Sequence, residues 1–208
     1  TRLLKDEQNP FDEDSPREWC TFGTFITFEN HYSSPDKNPF ATWEDMMGFF
    51  GAKFTGNLKT DLENIEKGAD RKGYIILPVW KYDHSIVLYS TEPFYGRAQH
   101  AEWDSGICGV IYVSKKDARE KYKCQRISQA TKQQVLADLV EEVDIYSQWS
   151  SGEIYAVSEY DMQGNELDAV CGYYKMEDAA GFHFGEYIGN FEAVDNCLEY
   201  VVELEKTE

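Results

Sequence analysis

Apolar and polar positions alternate with a period of two between Cys20 and Tyr32, around Phe22, Thr24, Ile26 and Phe28, which predicts a strand. SSPDKNP (33–39) is a loop by its turn residues. Thr42 then stands as an N-cap before Glu44 and Asp45, and the helix it opens carries Trp43, Met46, Met47 and Phe50. TDLENIEKG (60–68) predicts a short helix closed by Gly68. GYIILPVWKYD (73–83), SIVLYS (85–90) and ICGVIYVSK (107–115) are rich in β-branched and aromatic residues and predict three strands, with 91–106 a loop between the last two. Pro78 marks an edge position or a bulge. KKDAREKY (115–122) predicts a short helix. A longer one runs from about Ser128 to Trp149, with Val135, Leu136, Leu139, Val140 and Val143 on one face. EIYAVSEYD (153–161), MQGN and ELDAVCGYY (166–174) predict a hairpin. Phe191, Val194, Leu198 and Val201 recur at helical spacing and predict a last helix over about Asn190 to Lys206.

These elements imply an α+β fold, a mixed or mainly antiparallel sheet with helices packed against it. Residues 1–18 are polar, hold Pro10 and Pro16, and read as an extended arm before a single domain over 19–208. An aromatic content of 15% is enough for a real core and argues against disorder. No apolar run approaches the roughly 20 residues that span a bilayer, and no signal-peptide h-region is visible at the start, so a cytoplasmic protein without membrane contact is expected. Cys20, Cys108, Cys124, Cys171 and Cys197 contain no CxxC pair, which points to reduced thiols rather than a zinc ribbon or a redox motif.

Charge changes the picture more than composition does. Residues 141–208 hold 17 Asp and Glu against Lys175 and Lys206, a net of −15 out of the total −18. The preceding 140 residues are nearly balanced at −3. Such a field repels nucleic acid and anionic membranes and draws in basic partners. On the predicted last helix, Glu192, Asp195, Glu199 and Glu203 form a stripe at i, i+3, i+7 and i+11, with a carboxylate about every 5–6 Å. Duplex DNA carries a phosphate about every 3.4 Å on each strand, a spacing of the same order. Glu153, Glu159 and Asp161 on one arm of the hairpin, with Glu166 and Asp168 on the other, would extend the stripe. These nine residues are the candidate protein-binding site.

Two loops hold the residue types of a hydrolytic site: Asp83-His84-Ser85 and Trp103-Asp104-Ser105-Gly106. Adjacent strand residues point to opposite faces, so Asp83-His84-Ser85 is not itself a triad, and Ser105-Gly106 lacks the GxSxG elbow. One histidine with Asp83 and Asp104 is a poor metal set. Cys108, with His84 or His100 as base, sits in an apolar run where a cysteine usually packs as a small core residue. A turn closed by Asp and Ser side chains accounts for the first loop. The glycines of GFHFGEYIGNF (181–191) lack the Lys or Ser of a phosphate-binding loop, and His31 and His183 read as packing residues. Trp80, Tyr82, Tyr89, Tyr95 and Trp103 read as a core cluster whose exposed members, if any, are interface anchors. No catalytic residue, metal site or cofactor is therefore assigned.

SPREW (15–19), LPVWKYDHS (77–85), WDSGICGVIYVSKKDAREKY (103–122) and SSGEIYAV (150–157) resemble a family of small acidic proteins encoded by bacteriophages and mobile elements, mostly without assigned function. The resemblance covers about residues 15–175, and WDSGxxGxIYVSK is its most specific part. It implies a phage context in a host cytoplasm, where small acidic accessory proteins inhibit restriction or CRISPR nucleases. With the acidic stripe, the expectation is an inhibitor that presents a nucleic-acid-like surface to a basic host defence protein. The alternatives are a small hydrolase or metal-dependent enzyme using the 83–85 and 103–108 loops, and a phage protein-binding module without inhibitory action.

Overall fold

A computed structural model describes residues 2–5, 15–19, 21–29, 32–160, 163, 165–173, 190–194 and 197–201. Among these residues, nine strands and five α-helices follow in the order β1 (Arg2–Lys5), β2 (Thr24–Thr27), α1 (Trp43–Phe49), α2 (Leu58–Lys72), β3 (Tyr74–Asp83), β4 (Val87–Ser90), α3 (Ala101–Asp104), β5 (Ser105–Ser114), α4 (Lys115–Lys121), α5 (Gln129–Ser151), β6 (Tyr155–Tyr160), β7 (Glu166–Tyr173), β8 (Asn190–Val194) and β9 (Cys197–Val201). The fold is α+β, and every strand pairing among the described residues is antiparallel. Where the sequence suggests an arm over 1–18 and one domain over 19–208, the contacts form two compact units. One comprises residues 16–147, the other residues 1–15 with 148–208, and the boundary falls inside α5.

The unit of residues 16–147 is built on a four-stranded sheet in the order β2-β5-β3-β4. Ile26, Ile76 and Val110 from one sheet face join Met46, Met47 and Phe50 of α1 and its end, and Ile65 and Ala69 of α2, in one core cluster. The other face carries Phe25, whose ring meets Tyr146 of α5 edge-on at 5.3 Å, and Ile111, which shares the space around Gly23 with Leu139. Helices thus cover both faces. That explains why GYIILPVW reads as a continuous apolar run rather than an alternation. Val135, Leu139 and Val143 of α5 are fully buried, as the helical periodicity predicts.

Local sequence signals set several boundaries. Thr42 caps α1 in a capping box with Asp45. Helix α2 does not close at Gly68. It continues to Lys72 and ends on Gly73, which takes a left-handed φ of 85°. Gly68 lies inside the helix because the helix passes the chain after α1 there: an added Cβ would sit 2.5 Å from the Phe50 carbonyl oxygen. Pro78 stands in the part of β3 that pairs with β5 alone, since β4 reaches only to Trp80, and it lies one residue before the register shift between Val79 and Trp80, so the position is a local edge next to a bulge. The 91–106 loop contains the four-residue helix α3.

The second unit contains a five-stranded sheet in the order β7-β6-β1-β9-β8. The expected helix over 190–206 is overturned: β8 and β9 form an antiparallel pair, with Val194 opposite Cys197. Phe191 and Ala193 alternate with polar residues, and Leu198 and Tyr200 do likewise, so the segment carries the two-residue period as well as the helical one. Each strand is five residues long, and β9 gains a second neighbour in β1. Pairing from across the chain therefore decides between two patterns that are locally equivalent.

Candidate functional site

The acidic residues do not form one helical stripe. Glu192 stands directly opposite Glu199 in the β8–β9 register, and Glu159 directly opposite Asp168 in the β6–β7 register. Leu3 is opposite both Val157 and Tyr200, so β1 joins the two acidic strand pairs in one sheet. Glu166 is opposite Tyr160, beyond a register shift after Glu159. Glu153 is half-buried just before β6. Asp161, Asp195 and Glu203 lie outside the described residues, as do His31, His183, Cys20 and 181–189.

Charge nevertheless follows the structural division. The unit of residues 1–15 and 148–208 holds 19 Asp and Glu against Arg2, Lys5, Lys175 and Lys206, a net of −15. The unit of 16–147 holds 19 acidic and 16 basic residues, a net of −3. Like charges directly opposite each other on neighbouring strands destabilise a sheet by about 0.2–1 kcal/mol per pair. The unit of residues 1–15 and 148–208 carries two such pairs with few basic residues to offset them.

In the other unit the resembling segments explain one another. LPVWKYDHS and WDSGICGVIYVSK are the paired strands β3 and β5 with their flanks, and Tyr82 stands opposite Ser105. The same sheet end therefore brings His84 to Asp104, Nδ1 to Oδ2 at 2.9 Å. SPREW supplies Arg17, whose buried guanidinium bonds Glu142 of α5 and Asp36.

The other candidate chemical groups are held apart. Asp83 bonds Lys81 at 3.0 Å rather than His84. Ser105 Oγ donates to the Ala101 carbonyl at 2.5 Å. Cys108 is buried, with its Sγ 3.5 Å from the Val79 carbonyl oxygen. Burial, and then the charge of Glu29, push its thiol well above the ordinary value, so it stays protonated at neutral pH. No nucleophile in these two loops meets His84. Cys108, 7% exposed, should accordingly react with a disulfide reagent on the order of 100-fold more slowly than the half-buried Cys124. Mass spectrometry of timed labelling checks this. Equal rates would restore Cys108 as an accessible nucleophile.

Sequence reasoning misses a neighbouring arrangement. An open cleft of about 460 Å³ at this sheet end is lined by Glu29, Tyr32, Lys81, Asp83, Trp103 and Asp104 among others; Cys108 also lines it, and His84 does not. Lys81 forms an ion pair with Glu29, and its Nζ lies 4.5 Å over the Tyr32 ring. Burial alone would lower the Lys81 pKa, but hydrogen bonds to Glu29 and Asp83 and their charges raise it above the ordinary value. The alternation of Lys81 with apolar neighbours in β3 is the only local signal of this pair. Of the aromatic residues expected to cluster, Trp80, Tyr82 and Tyr89 are buried, while Tyr95 is half-exposed and Trp103 is 86% exposed.

Among the described residues no helix is long and apolar enough to cross a membrane. No protein-family model, curated protein or solved structure matches the chain.

Proposed function

We propose that this chain is a phage- or mobile-element-encoded inhibitor whose acidic unit occupies the basic nucleic-acid-binding surface of a host defence protein, of the restriction or CRISPR type. The observation that carries this reading is the segregation of charge: −15 on the unit of residues 1–15 and 148–208, −3 on the other. A fold gains nothing from opposing Glu192 to Glu199 and Glu159 to Asp168, so a use outside the molecule accounts for keeping them. Such a surface lowers the local concentration of competing nucleic acid and raises the association rate with a basic channel.

The test is plating efficiency of a phage on hosts that restrict it by a restriction enzyme or by CRISPR immunity, with and without the expressed chain. Wild type should relieve at least one system by tenfold or more. A fourfold reversal, Glu159, Asp168, Glu192 and Glu199 each to Lys, should abolish the relief. The reversal keeps each opposed pair of like sign, so the repulsion within the pairs is retained, while the net charge of the unit falls from −15 to −7. Binding of the relieved system's purified effector should weaken with salt, because exposed charges are screened over about 8–10 Å at physiological ionic strength. Relief that survives the reversal, or no relief of either system, defeats the reading.

A further inference from the structure

The cleft at the His84 end of the four-stranded sheet lies wholly within residues 16–147 and owes nothing to the acidic unit. Its rim carries Trp103, 86% exposed, on a helix fixed from several sides. Ala101 is buried, Ser105 Oγ bonds its carbonyl, Tyr82 Oη donates to Gln99 O at 3.0 Å, and Asp104 is held by His84. A large aromatic ring held in water by a rigid platform is the form of an interface anchor rather than of a loose loop.

The polar lining indicates what the anchor meets. Lys81 is already engaged by Glu29 and Asp83, and Ser105 by Ala101. Asp83 and Asp104 each use Oδ2 within the protein, and among the described residues neither Oδ1 has a hydrogen-bond partner. The charged groups with an atom to spare are therefore both carboxylates, which accept and do not donate. A guanidinium offers five donors, no acceptor, and a flat face that stacks on indole. Lys81 over Tyr32 between two carboxylates shows the same chemistry satisfied internally. Next to the cleft, and sharing Trp43 and Ile107 with it, is an apolar recess of about 220 Å³ lined by Met47, Phe54, Leu58 and Ile65.

We infer that this cleft recognises an arginine side chain of a protein partner, with the guanidinium on Trp103 and donating to Asp83 and Asp104, and an apolar neighbour of that arginine entering the recess. Gly106 fits the assignment: it lines the cleft, and a Cβ added there meets nothing within 4 Å, so the floor is kept bare without a packing reason.

The experiment titrates the full chain with the blocked peptide Gly-Arg-Leu-Gly, followed by calorimetry and by the indole N–H resonance of Trp103, assigned through Trp103→Phe. The peptide should shift that resonance saturably. Its citrulline counterpart, equal in shape and neutral, should bind about tenfold more weakly or worse. Trp103→Ala should abolish binding, and Asp83→Asn should weaken it severalfold. Trp103 is exposed, so its removal leaves the core alone, and an unchanged circular dichroism spectrum confirms that. The fourfold reversal in the acidic unit should leave this signal intact, which separates failure here from failure of the inhibitor reading. No shift at millimolar peptide, equal binding of the citrulline peptide, binding undiminished in Trp103→Ala, or a saturable shift with a neutral oligosaccharide in place of the peptide would each overturn the assignment.

Discussion

Arg17→Ala should cost about 3–5 kcal/mol of stability, the range for removing one partner of a buried ion pair. The Arg17 side chain is 4% exposed. Its Nε and Nη2 donate to the two oxygens of Asp36 at 3.0 and 2.7 Å, Nη1 donates to Glu142 at 2.5 Å, and Nη2 also donates to the Gly23 carbonyl at 2.6 Å. The acceptors hold backbone in turn. Glu142 Oε1 accepts from the Phe22 and Gly23 amides at 2.8 and 2.9 Å, and Asp36 accepts from the Phe25 amide at 2.6 Å. One guanidinium therefore ties the start of the unit, the loop before α1 and the middle of α5. Burial alone would lower the Arg17 pKa, but the two carboxylates raise it above its ordinary value, so it stays charged. Without it Glu142, 7% exposed at its side chain, is a buried charge with only amide partners. Arg17→Lys should recover little, because an ammonium cannot reach Asp36 by two parallel bonds and Glu142 as well. Replacing both Arg17 and Glu142 by Met should not restore stability either, since the Phe22 and Gly23 amides lose their acceptor. Urea midpoints measure this. A loss below about 1 kcal/mol in Arg17→Ala would show that the site relaxes or hydrates.

The second large effect separates the two glycines of the WDSGxxGxIYVSK stretch. A Cβ at Gly109 would lie 2.0 Å from the Ile26 carbonyl oxygen and 2.9 Å from the Thr27 Cα, backbone atoms of the facing strand β2. Those atoms cannot rotate away, so Gly109→Ala must push β2 and β5 apart, and a cost of about 3 kcal/mol, the top of the overpacking range, is expected. Gly106→Ala meets no neighbour and should be neutral or stabilising by up to about 1 kcal/mol, through loss of freedom in the unfolded chain. Thermal unfolding of the two variants side by side decides the matter. Equal Tm values would remove the close approach as the reason for glycine at 109.

Much of the four-stranded unit was legible because its signals are local. β3 and β5 are dense in Ile, Val and aromatic residues, Thr42 with Asp45 announces α1, and the apolar face of α5 repeats at 3.6 residues. Glu142 was not legible, since an acid on a helix reads as surface until its partner, 125 residues away, is known. Gly68 and Gly73 are alike as letters, and only the crossing of the Phe50 segment tells the packing glycine from the cap. In 190–201 the positions Phe191, Val194, Leu198 and Val201 satisfy a helix, while Phe191, Ala193, Leu198 and Tyr200 satisfy strands. The deciding contact is with Arg2 and Leu3. Of the candidate site, the acidic character is legible and its geometry is not, because Glu192 and Glu199 fit a helical stripe by spacing but lie on a strand pair. His84 and Asp104 stand out in the sequence as residue types, but their meeting depends on the β3–β5 register and its bulge.

Strand β1 lies at the centre of the five-stranded sheet, between β6 and β9. On the ribosome, about 150 residues must be made after Lys5 before its partner Tyr155 exists. At about 5–20 residues per second that interval is on the order of 10 s. Residues 16–147 are contiguous and are all synthesised within it, so the balanced unit has its full set of partners while β1 still has none. The acidic unit assembles last, when residues 197–201 reach Arg2 and Leu3. Translation halted before that point would release a folded Arg17 unit bearing an unpaired strand edge, a species for chaperones and proteases rather than for a binding partner.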